Sequence, residues 1–257
     1  MQAVLALQFR VLAALVLRET RATFGTTQIG YLWAIITPAA STAVLVAIFS
    51  AIGRQPPFGA SLALFFATGV LTLELFNKLG NSLMTVFDAN KALLTYPPIK
   101  ETDVLFARAI LIAVTYVLIM AVFFSGLMLF GLAGPPAHPG ELMTAFATTS
   151  LLGFGFGTVN AVILSLWESW RHVEKILTRP LFFVSGVFYV PSYLPRRAIE
   201  WLEWNPVLHA VEWVRSGYYV NYDSTVLDKS YILWVALLLT FLGLAGERLT
   251  RIRRSSA

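Results

Sequence analysis

The sequence predicts an all-α integral membrane protein with six transmembrane helices, an N-terminal interfacial amphipathic helix and a re-entrant helical arm between spans five and six. Two observations carry this prediction. Hydrophobic residues make up 57% of the 257 residues and charged residues only 13%, whereas a soluble domain has roughly 25% charged residues. Between Ala109 and Trp167, Glu141 is the only fully charged residue, so this stretch can hold two spans of about 20 residues each.

Residues 1–25 are predicted to form a helix on the membrane surface rather than a seventh span. Arg10 interrupts the apolar run early, and Arg18, Glu19 and Arg21 end it. Arg10 and Arg21 are separated by about three helical turns, so they share one face of a helix. A helix with such a charged face is typical of the membrane interface.

The spans themselves are predicted from gaps between charged residues. Pro38 is a tolerated kink in the first span. The turn at residues 134–140 contains three prolines and closes a hairpin between the third and fourth spans. The fifth span is short and carries Arg179 and Pro180 near its start. The predicted spans are residues 29–52, 62–79, 109–132, 142–167, 176–190 and 231–246.

Six spans place both termini on the same side of the membrane, and the basic residues indicate which side. Of the 19 lysines and arginines, 14 fall with the termini and five on the other side. The richer side is expected to be the cytoplasm. The 14 are Arg10, Arg18, Arg21, Lys78, Lys91, Lys100, Arg108, Arg171, Lys175, Arg179, Arg248, Arg251, Arg253 and Arg254; the five are Arg54, Arg196, Arg197, Arg215 and Lys229.

The cytoplasmic loop between spans two and three is predicted to contain a short helix over residues 88–96. Asp88 can cap its N-terminus, because a carboxylate accepts hydrogen bonds from the free backbone N–H groups there. Pro97 restricts Tyr96 to non-helical geometry and ends the helix. The helix is either an ordinary connection or a docking element for a cytoplasmic partner, and the sequence leaves both open.

The segment 191–222, on the far side of the membrane, is unusually aromatic for a connecting loop. It contains Trp201 and Trp204 among other rings. Asn205 and Pro206 predict the cap and first residue of a helix. On that helix His209, Glu212 and Arg215 recur every three residues and share a face. The segment is either an aromatic belt at the membrane interface or a gate whose rings stack on sugars.

Two features inside the spans are candidates for a functional role. Glu74 is an acid well inside span two, and intramembrane acids often mark function. Lys78 follows four residues later, so a Glu74–Lys78 ion pair that reaches toward the interface is the expected arrangement. Gly153 and Gly157 have the spacing of a helix-packing face rather than of a phosphate-binding loop.

Several kinds of active site are excluded by composition. The chain has no cysteine, so it forms neither disulfides nor thiolate metal sites. His138, His172 and His209 fall in separate connecting regions, and no metal site is expected. No segment matches the glycine-rich loop with Lys-Ser/Thr that cradles nucleotide phosphates, and no catalytic residue is expected.

Five segments resemble ABC-2 type permeases, and among these most closely the inner-membrane permeases that export capsular polysaccharide. The similarity runs from about residue 18 to the C-terminus, with the segments in the family's order. The five segments are RATFGTTQIGYLWAIITP (Arg21 to Pro38), NKALL (from Asn90), DVLFAR (Asp103 to Arg108), SGVFYVP (Ser185 to Pro191) and WNPVLHAVEWVRS (Trp204 to Ser216).

The resemblance implies that residues 1–257 form a single ABC-2 transmembrane domain that pairs as a homodimer. It implies two copies of a separate cytoplasmic ATPase, which would bind ATP and Mg²⁺, while this chain has no cofactor of its own. It further implies periplasmic and outer-membrane export partners and a lipid-linked polysaccharide as substrate.

Site residues follow from the same resemblance. The loop helix corresponds to the coupling helix, with Asp88, Asn90, Lys91, Ala92 and Tyr96 facing the ATPase. The aromatic arm corresponds to periplasmic gate helices. The channel and gate candidates are Tyr31, Trp33, Tyr193, Trp201, Trp204, His209, Glu212, Arg215 and Tyr219, with Glu74 and Lys78 as the intramembrane charges.

The function expected from this resemblance is ATP-driven export of lipid-linked capsular polysaccharide across the bacterial inner membrane. Export of O-antigen or teichoic acid is the nearest alternative. A membrane-embedded enzyme of glycan or lipid synthesis is a further alternative, but it would require convergent acids or histidines inside the membrane, which Glu74 alone does not provide. A non-catalytic assembly subunit, which would have no need of an ATPase, is the third.

Overall fold

A computed structural model describes residues 2–25, 29–96 and 99–255, and these residues are helical with short connections and no strand. Long apolar helices alternate with short ones. In chain order the helices are α1 (Gln2–Phe24), α2 (Ile29–Ala51), α3 (Leu62–Met84), α4 (Val86–Ala89), α5 (Glu101–Leu129), α6 (Pro139–Leu166), α7 (Trp170–Thr178), α8 (Leu181–Val184), α9 (Arg196–Leu202), α10 (Pro206–Tyr218) and α11 (Lys229–Ser255), with one 3-10 turn at Pro191–Tyr193 between α8 and α9.

Four of these helices are long and apolar enough to cross a membrane: α3, α5, α6 and the part of α11 from Lys229 to Arg251. A shorter apolar stretch, Ile35–Ala51, lies in α2. The all-helical membrane-protein class predicted from the sequence is therefore confirmed. The count of six crossings stays a prediction.

The fifth predicted span is not one continuous helix, so the sequence prediction of a single helix over residues 176–190 is wrong. Helix α7 ends at Thr178 and α8 covers only Leu181–Val184. Pro180 cannot continue the hydrogen bonding of α7. Gly186 then has a φ of +75°, a left-handed conformation that favours glycine.

Helix α6 lies at the centre of the fold, between α3 and α11. A Cβ atom added to Gly153 would meet the Leu79 side chain at 2.9 Å, and one added to Gly157 would meet Leu83 at 2.8 Å. These glycines therefore let α3 and α6 approach closely, as their spacing predicts. Gly155, on the opposite side of α6, approaches the backbone of Thr240 in α11 in the same way.

The helices give the molecule two distinct ends. Ser41 contacts Glu74 and Phe49 contacts Phe66, so α2 and α3 run in opposite directions. Lys229 pairs with Glu141, so α6 and α11 begin at the same end. We call the end that holds α4, α7 and the last turns of α11 the loop end. The end that holds α9 and α10 is the arm end.

Candidate functional site

A polar cavity of about 610 Å³ lies between α2, α3 and α5, with the end of α1 beside it. Four of its residues, Glu74, Asn77, Lys78 and Asn81, are spaced three or four apart on α3, and so form one helix face. Polar side chains are costly inside a membrane and mark sites of function there. The remaining lining residues are Thr23, Thr37, Pro38, Ser82, Thr85, Arg108, Leu111, Ile112, Thr115, Tyr116 and Ile119.

Most of the residues that line this cavity are not among the candidates predicted from the sequence. Glu74 and Lys78 are candidates, but Asn77 and Asn81, and Thr85 at the end of α3, are not. The signal was present in the sequence as polar residues at 74, 77, 78, 81 and 85, which fall on one helical face along span two and just beyond it. A helical-wheel count of polar positions would have found it.

Glu74 and Lys78 do not form the expected ion pair. Glu74 Oε1 instead accepts a hydrogen bond from the Ser41 hydroxyl at 2.9 Å, which joins α3 to α2. Glu74 and Asn77 also line a second cavity, of about 480 Å³, on the far side of this contact next to Val44 and Phe182. The Glu74–Ser41 bond therefore lies in the wall between two cavities. The prediction of the pair failed because i,i+4 spacing brings two side chains near each other but does not decide which partner is better placed.

Arg108, at the cavity wall, is held by an acid from α1. Its Nη2 lies 2.6 Å from Glu19 Oε2, and its Nε donates to the same oxygen at 2.8 Å. Glu19 is only 1% exposed, so this is a buried acid whose single oxygen accepts two charge-assisted hydrogen bonds from one guanidinium. The pair fixes α1 to α5.

The neighbouring residue on α1, Arg18, contacts the loop between α3 and α5. Its Nη1 donates to Asn90 Oδ1 at 2.5 Å. Asn90 is 1% exposed, and its Nδ2 donates to the Val86 carbonyl at 3.0 Å. Asn90 is therefore an internal anchor of the loop rather than a residue that an external partner could touch.

The loop helix differs from its predicted form. Helix α4 covers only Val86–Ala89, and residues 90–95 are turns, so a helix over residues 88–96 with Asp88 as its cap is wrong. Thr85 separates α3 from α4 and occupies the N-cap position of α4. Asp88 therefore lies inside α4. Pro97 and Pro98 lie outside the described residues.

The other predicted coupling residues are exposed at the loop end. Lys91, Ala92 and Tyr96 are all exposed. Asp88 is also exposed and lies 3.7 Å from Arg171 near the start of α7. The outer surface of the loop thus carries the charges of Asp88 and Lys91 and the ring of Tyr96. The buried Asn90 holds the loop in place from within.

The candidates on α10 are buried inside the protein. Asn205 Oδ1 accepts the Val207 N–H and Pro206 is the first helical residue, which is the arrangement that the sequence predicts. Helix α10 packs on α3, α6 and α11. Its side chains from Val207 to Arg215 are at most 8% exposed. Val211 is 0% exposed, and α10 has protein on all sides.

Glu212 and Arg215 form the centre of a buried hydrogen-bond network. Glu212 Oε1 accepts from the Tyr222 hydroxyl at 2.8 Å, and Oε2 accepts from Ser224 at 2.6 Å. Arg215 Nη1 is 3.4 Å from Glu212 Oε1 and donates to the Tyr189 carbonyl at 3.1 Å. Burial, and next the charge on Glu212, hold the pKa of the Tyr222 phenol well above its usual range, so Tyr222 remains a donor.

The contacts of His209 define its tautomer. Its Nδ1 accepts the Asp228 backbone N–H at 3.0 Å, which requires that nitrogen to be unprotonated. Its Nε2 then carries the proton and donates it to the Glu203 carbonyl at 2.7 Å. His209 is 2% exposed and joins α9, α10 and α11 as a neutral imidazole.

The aromatic candidates divide into two groups. Tyr193, Trp201 and Trp204 are 70%, 80% and 72% exposed, and Trp33 on α2 is 61% exposed. Tyr219 is only 8% exposed and packs edge-on against Phe58, with ring centroids 5.2 Å apart. Tyr219 is therefore a packing residue in this structure, which corrects its grouping with the exposed rings. The side chain of Tyr31 lies outside the described residues.

Comparison with known proteins gives a consistent result. The family model described as ABC-2 type transporter matches residues 10–219. The Polysialic acid transport protein KpsM of Escherichia coli is 31% identical over 238 residues, which cover 91% of each chain. The Capsule polysaccharide export inner-membrane protein CtrC of Neisseria meningitidis serogroup A is 26% identical over 241 residues, 94% of this chain and 91% of the relative. The protein BexB of Haemophilus influenzae, with the same description, is 24% identical over 240 residues, 93% of this chain and 91% of the relative.

Proposed function

The chain belongs to the ABC-2 type transporter family, and we propose that it is the membrane subunit of an exporter that moves lipid-linked capsular polysaccharide across the bacterial inner membrane. The polar cavity between α2, α3 and α5 is the observation that carries this proposal. Four spaced polar side chains on α3 face about 610 Å³ of open space among apolar spans. Amides such as Asn77 and Asn81 both donate and accept hydrogen bonds, as recognition of sugar hydroxyls requires.

Energy for export comes from ATP and Mg²⁺ bound by a separate ATPase chain. The exposed Asp88, Lys91, Ala92 and Tyr96 supply its docking surface at the loop end, supported by the buried Asn90. Membership of the ABC-2 type transporter family supports a separate ATPase, since the permeases of this family are expected to work with an ATPase chain.

The transporter is a homodimer that hands its substrate to periplasmic and outer-membrane partners. The second cavity, beside Val44 and Phe182, and the exposed Trp33 lie on the α2 face. If a second copy packed against this face, the Glu74 side chains of the two copies would lie on either side of one central substrate path. Exposed Tyr193, Trp201 and Trp204 at the arm end would stack on sugar rings as the polymer leaves. Stacking suits a polymer because it tolerates changes in sugar sequence.

The chain crosses the membrane six times, with both termini in the cytoplasm. The fifth crossing is made by the broken segment from α7 to residue 190, and α9 and α10 form the re-entrant arm. The excess of lysine and arginine at the loop end supports this orientation. The absence of native cysteine makes it testable with single introduced cysteines.

In that test, cysteine at His138 or Arg197 should react with an impermeant thiol reagent once the outer membrane is opened. Cysteine at Lys91 should react only after the inner membrane is also breached. Cysteine at Val211 should stay unreactive in both cases, because Val211 is 0% exposed. If the cysteine at Lys91 reacted from the periplasmic side, the orientation of the chain would be opposite to the one proposed.

The function is tested by deleting the gene and identifying the glycan that collects in the cytoplasm. Capsular polysaccharide on its lipid anchor is expected. O-antigen or teichoic acid would assign the chain to the alternative exporters. Co-purification of a nucleotide-hydrolysing chain with the wild type separates all of these from an enzyme or an assembly subunit, for which no such chain is expected.

A further inference from the structure

A third cavity, of about 700 Å³, lies at the loop end between the start of α5 and the last turns of α11. It is separate from the cavity on α3 and shares no lining residue with it. Three of its seven lining residues are cations, Lys100, Arg248 and Arg251, and one is an acid, Glu247. With Glu247 ionised, the local charge is still positive.

These three cations differ from the arginines that are buried elsewhere in the fold. In the part of the chain that the structure describes, none of the three side chains forms an ion pair. By contrast, Arg108 and Arg215 are each held against a buried acid. Unpaired cations that converge on one cavity favour an anionic ligand.

The walls of the cavity lead into apolar surface. Phe106 and Leu244 line it on the side toward the membrane. From Phe106 the exposed residues Ile110, Val114 and Leu118 continue along α5, a stripe of about 18 Å at 1.5 Å per residue. That length is close to one leaflet of a hydrocarbon core of about 30 Å. Exposed Phe241 and Leu237 provide a similar stripe on α11.

We infer that this cavity binds the phosphate headgroup of an anionic glycerophospholipid, of the phosphatidylglycerol class, from the leaflet at the loop end. Arg248, Arg251 and Lys100 hold the phosphate, and the Thr102 hydroxyl offers a hydrogen bond. The acyl chains lie along the apolar stripes of α5 and α11. Basic pockets between membrane helices are suited to acidic lipid headgroups, because charge and apolar surface meet there. The bound lipid is a fixed part of the protein's surface and not the exported substrate.

The inference is tested on the full-length protein purified in detergent, with native mass spectrometry used to count bound lipid. Phosphatidylglycerol is added at graded concentrations, and phosphatidylcholine and glycerol 3-phosphate are the comparison ligands. The double variant Arg248→Gln/Arg251→Gln is compared with Lys175→Gln/Arg179→Gln, which removes two exposed cations of the same end outside the cavity.

We expect the wild type and the Lys175/Arg179 control to retain phosphatidylglycerol, and the Arg248/Arg251 variant to bind it roughly 10- to 30-fold more weakly. Equal binding by both double variants would overturn the inference. Equal retention of phosphatidylcholine would do the same, and displacement by glycerol 3-phosphate alone would indicate a site for free phosphates. If the double variant does not fold, Lys100→Gln tests the same prediction with a several-fold effect.

A protein occupant gives a different result. If the Arg248/Arg251 variant keeps its lipid but no longer co-purifies with an ATPase, the cations belong to a protein interface and the inference is wrong. Because lipid binding is measured without transport, failure here leaves the proposed export function unaffected, and failure of export leaves the lipid count unaffected.

Discussion

Helices α3 and α10 both carry several polar side chains inside the fold, yet they use them in opposite ways. On α10, Glu212 and Arg215 are 0% exposed and bond to each other and to neighbouring groups. On α3, Asn77, Lys78 and Asn81 face open cavity space. Polar groups that satisfy one another hold a structure together. Polar groups left facing open space are available to a substrate.

Replacing Arg215 should have the largest effect on stability of the changes proposed for these two helices. The substitution Arg215→Met leaves the Glu212 carboxylate buried without its cation, which costs about 3–5 kcal/mol of folding free energy. Expression and thermal unfolding in detergent measure the loss. The double variant Glu212→Leu/Arg215→Met should recover part of it, because no charge is then left unpaired. A normally stable Arg215→Met protein would show that the network is not structural.

Loss of His209 should have a smaller but clear effect on stability. The substitution His209→Phe leaves the Asp228 N–H and the Glu203 carbonyl without their partner, at a cost of about 1–3 kcal/mol. The same unfolding measurement applies. Asp228 also caps the start of α11 through its side chain, so hydrogen exchange at residues 229–232 should speed up in the variant. Unchanged exchange there would show that His209 does not hold α11.

The cavity face of α3 should behave in the opposite way, with stability kept and export lost. The double variant Asn77→Leu/Asn81→Leu removes two amides from the cavity wall without breaking an internal network. We expect export slower by about thirtyfold, since two hydrogen bonds of about 1 kcal/mol each are lost. Export of pulse-labelled polysaccharide is the measurement, with Asn77→Gln/Asn81→Gln as the control that keeps the amides. Equal export by both double variants would show that these amides of α3 do not contact the substrate.

The exposed rings of the arm should give the smallest change in stability. Trp201→Leu and Trp204→Leu replace rings that are 80% and 72% exposed, so folding free energy should change by less than about 0.5 kcal/mol. Export should fall if the rings stack on sugars. The matched variant Tyr219→Leu should instead destabilise the fold, because its ring packs against Phe58. Normal export by both tryptophan variants would favour the interfacial-belt interpretation of the arm.

Features fixed by short stretches of sequence could be predicted well. The cap of α10 depends only on Asn205 and Pro206. The close packing of α6 depends only on the spacing of Gly153 and Gly157. Both rules act within a turn or two of one helix, so they need no knowledge of the tertiary fold.

Features that depend on distant partners could not be predicted. The residues that surround α10, such as Tyr222 and the Tyr189 carbonyl, come from segments with no periodic relation to it. The spacing of His209, Glu212 and Arg215 therefore predicts that they share a face, but not that the helix is enclosed by protein. The Arg108–Glu19 pair joins residues 89 positions apart, and no local pattern indicates it. The polar face of α3 is the exception, because its periodicity is a local pattern that the sequence contains.

The two adjacent residues Arg18 and Glu19 have a mechanical consequence for the molecule. Arg18 is hydrogen-bonded to Asn90 in the loop, and Glu19 to Arg108 in the cavity wall. Two adjacent residues of α1 therefore connect these two regions. We therefore expect a displacement of the loop to shift the cavity wall as well, unless one of these bonds breaks or α1 rotates about its axis. If α1 lies in the membrane interface, as its sequence predicts, that rotation would drag its charged face past lipid headgroups. The viscosity of the surrounding lipid would then set how quickly a push on the loop reaches the cavity.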